Sequence, residues 1–386
     1  MDTFSLDKQY VAPTYGSFPV ELVSGKGSLV TDSNGKEYID LTSGIGVTAF
    51  GIADDAWVKA VTEQACKLQH VSNLYYTEPC ARVAQYLCSH TGMKKVFFSN
   101  SGAEANECAI KYARKYSQTK KGQEYATIIT LKNSFHGRTL TTLAATGQDV
   151  FHQYFQPLTP GFVHAEANNV ADLKRLVAEN QVAGILLECV QGEGGVLPLT
   201  QEFVDAAAQI CKEQDIPLMI DEVQTGNGRT GKLYGYMHYG IQPDIVSTAK
   251  GLGGGLPIGA TMVNEKLQEV LQPGDHGSTY GGNPVSCAGA LSVLERLDDE
   301  MYAQIQAKSD YVFSQLQNAE GVESVAGMGL MIGIKTKKNN KEVLAACMEQ
   351  GVLCLTAKDK VRLLPALNIP MELLEKAIAV IKEACK

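Results

Sequence analysis

Between residues 95 and 250 the chain alternates short, almost uninterrupted apolar runs with longer amphipathic ones, and few architectures accept that pattern. The runs "KVFFS" (95–99), "YATIITLKN" (125–133), "GILLECV" (184–190), "PLMIDEV" (217–223) and "DIVSTAK" (244–250) are short and mostly rich in β-branched residues. They read as strands buried on both faces. Between them, "AEANECAIKYARKYS" and "QEFVDAAAQICKEQD" (201–215) read as helices, the second with Phe203, Val204, Ala207, Ile210 and Cys211 on one face. Strands separated by helices predict an α/β fold built on a mostly parallel sheet covered on both sides. Such sheets place ligands beyond the carboxyl ends of their strands, so the residue after each run matters most.

The two ends of the chain read differently. "ELVSGKGSLVTDSNGKEYIDL" carries Gly25, Gly27 and an Asn34-Gly35 turn between alternating runs, the pattern of antiparallel hairpins. From about residue 285 a long helical stretch is followed by the short strands "VESVAG" and "LMIGIKT" and a closing helix, "MELLEKAIAVIKEAC". The expected organisation is a large domain over 46–284, with 1–45 and 285–386 together forming a smaller α+β unit.

Composition removes several function classes. The chain has 386 residues, 34 basic against 42 acidic, and a formal charge of −8, with no basic run interleaved with aromatics; nucleic acid is not an expected partner. No window approaches about 18 uninterrupted apolar residues, and "MDTFSLDKQYVAPTYG" lacks the basic and apolar regions of a leader. A cytoplasmic protein without membrane contact is expected. The 10 cysteines never form C-x-x-C and the 7 histidines never form H-E-x-x-H, so neither a disulfide framework nor a metal centre is expected.

One segment imitates a nucleotide-triphosphatase. "LMIDEVQTGNGRTGKLYG" (218–235) ends an apolar run at Asp221-Glu222 and then spells G-x-x-x-x-G-K, but Leu233 stands where Mg²⁺ needs Ser or Thr. The order of the two motifs is also reversed, and Gly235, Gly240 and Pro243 break any following helix. Asp221 therefore needs another explanation. A carboxylate at the end of a strand buried on both faces costs several kcal/mol unless it meets a cation or strong donors.

The other strand ends supply matching parts. After "KVFFS", Ser101 and Glu104 form an S-x-x-E capping box, which explains a well-capped helix and equally suits a phosphate at the helix start. After the next strand, Phe135 and His136 read as loop or core residues, and Arg138 as a carboxylate partner or a surface ion pair. Glu188 lies just inside a strand, and Glu193 sits in the Gly-rich turn "QGEGG". Lys250 ends "DIVSTAK" before the glycines 253–255, with room for a reactive amine. A phosphate cradle, a lysine, a carboxylate and a flat side chain are what pyridoxal phosphate (PLP) requires.

"SNSGAEANE", "FHGRT", "VQGEGG", "LMIDEVQTGNGRTG", "STAKGLGGGLPIGA", "HGSTYGGNP" and "VRLLPAL" occur in this order across nearly the whole chain. Together they resemble the acetylornithine and ornithine subgroup of the class III, fold type I, PLP-dependent aminotransferases. The resemblance implies that Lys250 is the Schiff-base lysine and proton shuttle and that Asp221 pairs with the pyridinium nitrogen. Val223 would pack on the ring opposite Phe135, and Gln224 would bond the ring hydroxyl. Ser101, Gly102 and Ala103 would hold the phosphate, with Glu222 among the cofactor-binding residues. Thr279 would reach the phosphate of the neighbouring subunit, implying a homodimer with shared active sites.

For the substrate, the resemblance implies that Arg138 takes a carboxylate and that Ser278 lies near the acetylated substrate. Glu193 would mask Arg362 until glutamate needs a second carboxylate partner, and Tyr15 aligns with a position that can contact the α-amino group of free ornithine. One departure is "FGIADDA", with Ile52 and Asp55 where the family commonly reads GH-x-HP. The expected reaction moves the δ-amino group of N2-acetylornithine to 2-oxoglutarate, as in arginine biosynthesis. Free ornithine, succinylornithine or 4-aminobutyrate are the alternatives within the family. A glutamate-semialdehyde type aminomutase would not need Arg138, Glu193 and Arg362 for two alternating substrates, and a noncatalytic PLP-fold protein would not need an intact Lys250 and Asp221.

Overall fold

The computed structural model describes residues 2–386. Its central sheet has seven strands in the order Lys95–Ser99, Gly259–Val263, Ile245–Thr248, Leu218–Asp221, Val182–Leu187, Thr127–Leu131 and Phe162–Ala165. Every pairing from Ile245–Thr248 to Phe162–Ala165 is parallel. The strand Gly259–Val263 is antiparallel to both neighbours, so it alone runs against the rest. As a result Ser99, Asp221, Thr248 and Gly259 meet along one edge.

The apolar runs are buried for the reason their pattern suggests. All residues of Val182–Leu187 and of Leu218–Asp221 are buried between helical layers. The helix Gly102–Lys121 buries Ala105, Ala109 and Ala113, small residues at helical spacing that let it lie close on the sheet. The helix Gln201–Glu213 buries Phe203, Val204, Ala207, Ile210 and Cys211, the face read from the sequence. The stretch "GRTGK" that follows Asp221 runs through turns into a short 3-10 helix at Gly235–His238, which offers no helix start to a triphosphate.

The two chain ends share one smaller sheet, and the C-terminal part builds a second. Leu22–Lys26, Leu29–Asp32 and Glu37–Asp40 form antiparallel hairpins, with Gly35 at φ 81° in the Asn34-Gly35 turn. Val352–Leu353 then adds to Glu37–Asp40 in parallel, pairing Val352 with Ile39. The second sheet orders Val322–Met328, Met331–Thr336, Lys360–Leu363 and Leu355–Ala357. A core of its own, including Leu41, Val312, Ile334, Val361 and Ile378, lies under these elements. The helical stretch after residue 284 is two helices, Pro284–Leu294 and Asp299–Leu316, because Asp298 caps the second by accepting from Met301 N at 2.8 Å.

Two buried cations tie the segment after Lys360–Leu363 to the rest. Arg229 Nη1 donates to the carbonyls of Leu330 (3.1 Å) and Pro365 (2.6 Å). Lys308 Nζ donates to the carbonyl of Leu367 at 2.8 Å. Burial lowers the Arg229 pKa to about 10, which leaves it charged at neutral pH. Arg362 belongs to the strand held in this way.

Candidate active site

The edge where Ser99, Asp221 and Thr248 meet opens into a cavity of about 470 Å³. One wall is the start of the helix Gly102–Lys121. Ser101 Oγ accepts from Glu104 N at 3.2 Å, and the Glu104 carboxylate turns back to Asn100 N at 2.7 Å. The return bond goes to Asn100, so the Ser101 N–H takes no part in the cap. The Gly102 and Ala103 N–H groups are the unbonded donors that every helix start leaves. A Cβ on Gly102 would come within 2.6 Å of Val223 Cγ1, so only glycine lets the helix start approach this wall.

Asp221 is 3% exposed and lines the cavity. Its Oδ2 accepts from Asn106 Nδ2 (2.7 Å) and His136 Nδ1 (2.8 Å), and its Oδ1 accepts from Val223 N at 3.0 Å. A carboxylate acceptor requires the proton on Nδ1 of the imidazole. Asn106 is fixed in turn by Ser247 Oγ, which donates to its Oδ1 at 2.6 Å. Sequence reading treated His136 as a loop or core residue and passed over Asn106. The available signal was an asparagine on the alanine-lined face of an otherwise packed helix.

Lys250 stands at φ 46°, a left-handed conformation uncommon for a residue with a side chain, at the start of the 3-10 turn Lys250–Gly253. The residue is half-buried and its amino group is enclosed. Burial lowers its pKa; Glu193 and Asp221 pull it back up and Arg362 pushes it down. None of these groups hydrogen-bonds to Nζ.

Glu193 and Arg362 form a 2.6 Å ion pair. Gln224 joins them, accepting from Arg362 Nη1 at 3.0 Å and donating to Glu193 Oε1 at 3.3 Å. Burial raises the Glu193 pKa, and the Arg362 charge and hydrogen bond outweigh that, so it titrates below the usual range. Arg362 is 2% exposed and stands behind Glu193 and Gln224, which line the cavity. Glu188 also lines it. Its carboxylate accepts from Phe135 N (2.9 Å) and Gly192 N (3.3 Å), tying together the turns that carry Phe135 and Glu193. Burial raises its pKa to about 7.

Of the other residues singled out in the sequence, Phe135, Arg138 and Val223 line the cavity. Glu222 does not. It follows the strand end, and its carboxylate turns into the core to accept from Thr225 Oγ1, Gly235 N and Tyr236 N at 2.6 to 2.8 Å. Ser278 and Thr279 lie outside this cavity; Ser278 Oγ accepts from Asn100 Nδ2 at 3.2 Å and Thr279 is exposed. Tyr15 is 86% exposed on the N-terminal segment, also outside it. Ile52 bridges to Gly27 and Asp54 caps the helix Asp55–Lys67, so the departure from GH-x-HP forms an ordered turn.

The aminotransferase class-III family model matches residues 10–385. The chain belongs to the class III aminotransferases. This aminotransferase is 51% identical to the acetylornithine aminotransferase of Haemophilus ducreyi over 98% of this chain and 97% of that protein. It is 43% identical to the one of Aquifex aeolicus over 97% and 99%. Among solved structures it resembles ornithine aminotransferase from Toxoplasma gondii ME49, with TM-score 0.95, 30% identity and coverage of 99% and 94%. N-acetylornithine aminotransferase from Stenotrophomonas maltophilia K279a gives TM-score 0.85, 34% identity and coverage of 99% and 98%.

This class III aminotransferase is a PLP-dependent transaminase, with the fold type I α/β architecture of these neighbours. Its cavity fits the cofactor by its own chemistry. It offers open N–H groups at a helix start beside a glycine that no other residue could replace without meeting Val223. It also offers a carboxylate backed by three donors and an enclosed lysine amine with no hydrogen-bonded charge of its own.

Proposed function

We propose that this transaminase moves the δ-amino group of N2-acetylornithine to 2-oxoglutarate, giving N-acetylglutamate 5-semialdehyde and glutamate. Bound PLP supplies a carbonyl carbon that takes up the amine and a protonated ring that draws off electrons. The open donors of Ser101, Gly102 and Ala103 bind its phosphate. Phe135 and Val223, which both line the cavity, would hold the ring, and Gln224 would bond its hydroxyl. Asp221, steadied by His136 and Asn106, would hold the proton on the ring nitrogen. Lys250 Nζ, whose burial favours the neutral amine, would take up and return the proton at the substrate carbon.

Two substrates must use one cavity, and the observation that carries the reading is the Glu193–Arg362 pair at 2.6 Å. While paired, Arg362 is neutralised and the cavity accepts an ω-amine beside it. Released from Glu193, Arg362 takes one carboxylate of 2-oxoglutarate or glutamate and Arg138 takes the other. The curated relatives named above support the acetylated substrate. The exposed Thr279, the Ser278 turn and the exposed Tyr10 and Tyr76 support a homodimer in which Thr279 reaches the partner's phosphate. Among the described residues no helix is long and apolar enough to cross a membrane. The ten free cysteines support a reducing cytoplasm.

The test is the absorption spectrum of the purified holoenzyme with N2-acetylornithine and no oxoacid. Conversion of the cofactor band to the amine form supports the reading. Conversion with free ornithine alone would move the substrate to the ornithine aminotransferases, where Tyr15 would have to join the site.

A further inference from the structure

Arg138 is exposed and has no ion-pair or hydrogen-bond partner among the described residues, yet its guanidinium is not free to wander. Its Cζ lies 3.9 Å from the centre of the Phe151 ring and 5.3 Å from that of Phe135. The two rings stand edge to face, 6.1 Å apart at 81°. The Arg138–Phe151 separation is the stacking distance of a guanidinium laid on an aromatic face. Phe151 is not among the residues that line the cavity, whereas Arg138 and Phe135 are.

The turn that carries Phe151 is itself anchored. It is the 3-10 turn Asp149–Phe151, closed by Phe151 N donating to Gln148 O at 3.0 Å. Before it, buried Gln148 donates from Nε2 to Ser134 O at 3.0 Å. After it, His152 Nε2 lies 2.9 Å from Leu143 O. A carbonyl only accepts, so Nε2 carries the proton. Arg138 therefore packs on an anchored ring, Phe151, with Phe135 as a second and more distant aromatic neighbour.

We propose that Phe151 is a positioning residue that holds the Arg138 guanidinium for the substrate carboxylate. The proposal rests on the reading of Arg138 given above and adds the group that orients it. An arginine without this ring must lose side-chain freedom each time it binds a carboxylate, so the defect falls on substrates that carry one.

The experiment compares N2-acetylornithine with N-acetyl-1,4-diaminobutane, the same molecule without its carboxylate. For Phe151→Leu, the ratio of kcat/KM for the first over the second falls roughly twofold to thirtyfold. The change appears in the KM for N2-acetylornithine, and Phe151→Tyr restores the ratio. Placed on Arg138→Ala, Phe151→Leu produces no further fall, because the group it acts through is gone. Equal losses for both substrates, or a full additional loss on Arg138→Ala, would overturn the proposal by showing a general structural role. If Arg138→Ala lowers the ratio and Phe151→Leu does not, the proposal alone fails. If Arg138→Ala leaves the ratio intact, the Arg138 reading fails and takes the proposal with it. Phe151→Met, closer to phenylalanine in volume, replaces the leucine variant should that one not fold.

Discussion

Arg362 Nη1 donates to Glu193 Oε1 at 2.6 Å, joining a strand near the end of the chain to the turn of the small hairpin Val190–Gln191 and Leu197–Pro198. A single neutral substitution should separate the two substrates. In Glu193→Gln the arginine keeps a neighbour but loses its counter-charge, and it becomes available to any carboxylate. The ratio of kcat/KM for N2-acetylornithine over that for glutamate as amino donor should fall about tenfold to a hundredfold. Steady-state kinetics with each donor checks it, and an unchanged ratio would remove the masking role of Glu193.

Lys250→Ala should abolish turnover while leaving the fold intact, because the side chain makes no hydrogen bond that the structure depends on. Removing the proton carrier alone costs at least about 10² to 10⁴ in kcat. Borohydride treatment should then no longer fix the cofactor to the chain. Normal turnover in this variant would require another base.

Acid–base behaviour of the cofactor-free protein should reflect two buried carboxyls. Burial raises Glu188 and Glu222 from the ordinary 4.5 to about 7. The folded chain therefore holds more protons than the unfolded one in this window. The stability from these protons is complete below about 4.5 and is lost as pH rises through about 7, on the order of 3 kcal/mol per group. Denaturant unfolding across this range should show the loss, and Glu222→Gln should flatten it. A slope identical to the unsubstituted chain would show that Glu222 is ionised in the fold.

Arg229 gives a stability prediction with a kinetic consequence. Arg229→Met leaves the carbonyls of Leu330 and Pro365 buried without their donor, at a cost of about 2 to 5 kcal/mol. Arg362 lies on the strand just before Pro365, so substrate selectivity should weaken together with Tm. Thermal unfolding and the donor ratio described above should move in the same variant; a fall in Tm with selectivity untouched would confine Arg229 to stability.

Five strands of the central sheet were legible as short, mostly apolar runs, and strand-end logic led to Asp221 and Lys250 before any fold was in hand, whereas the short parallel edge strand Phe162–Ala165, interrupted by His164, was not. The strand Gly259–Val263 was not legible. Its start is hidden in "GLGGGLPIGA", where glycines needed for close approach suppress the strand signal, as at Gly259, whose Cβ would come within 2.4 Å of Ser101 O. Glu222 was misread because residue type alone does not say which way a strand-end side chain points. The supports of Asp221 come from other elements, a helix for Asn106 and a turn for His136, so no local spacing links them. Phe151 lies on an exposed turn with no apolar period, and only the fold brings its ring to Arg138.

The pairing of Ile39 with Val352 has a consequence for how the protein is born. During synthesis the strand Glu37–Asp40 leaves the ribosome early and waits with one edge unpaired until residue 352 has emerged. The loop closed by this pairing encloses most of the chain, which places it among the slow, non-local contacts of folding. Arg362 follows only ten positions after Val352. The strands that end at Asp221 and Thr248 therefore leave the ribosome well before Arg362, and the Arg362–Glu193 pair closes last.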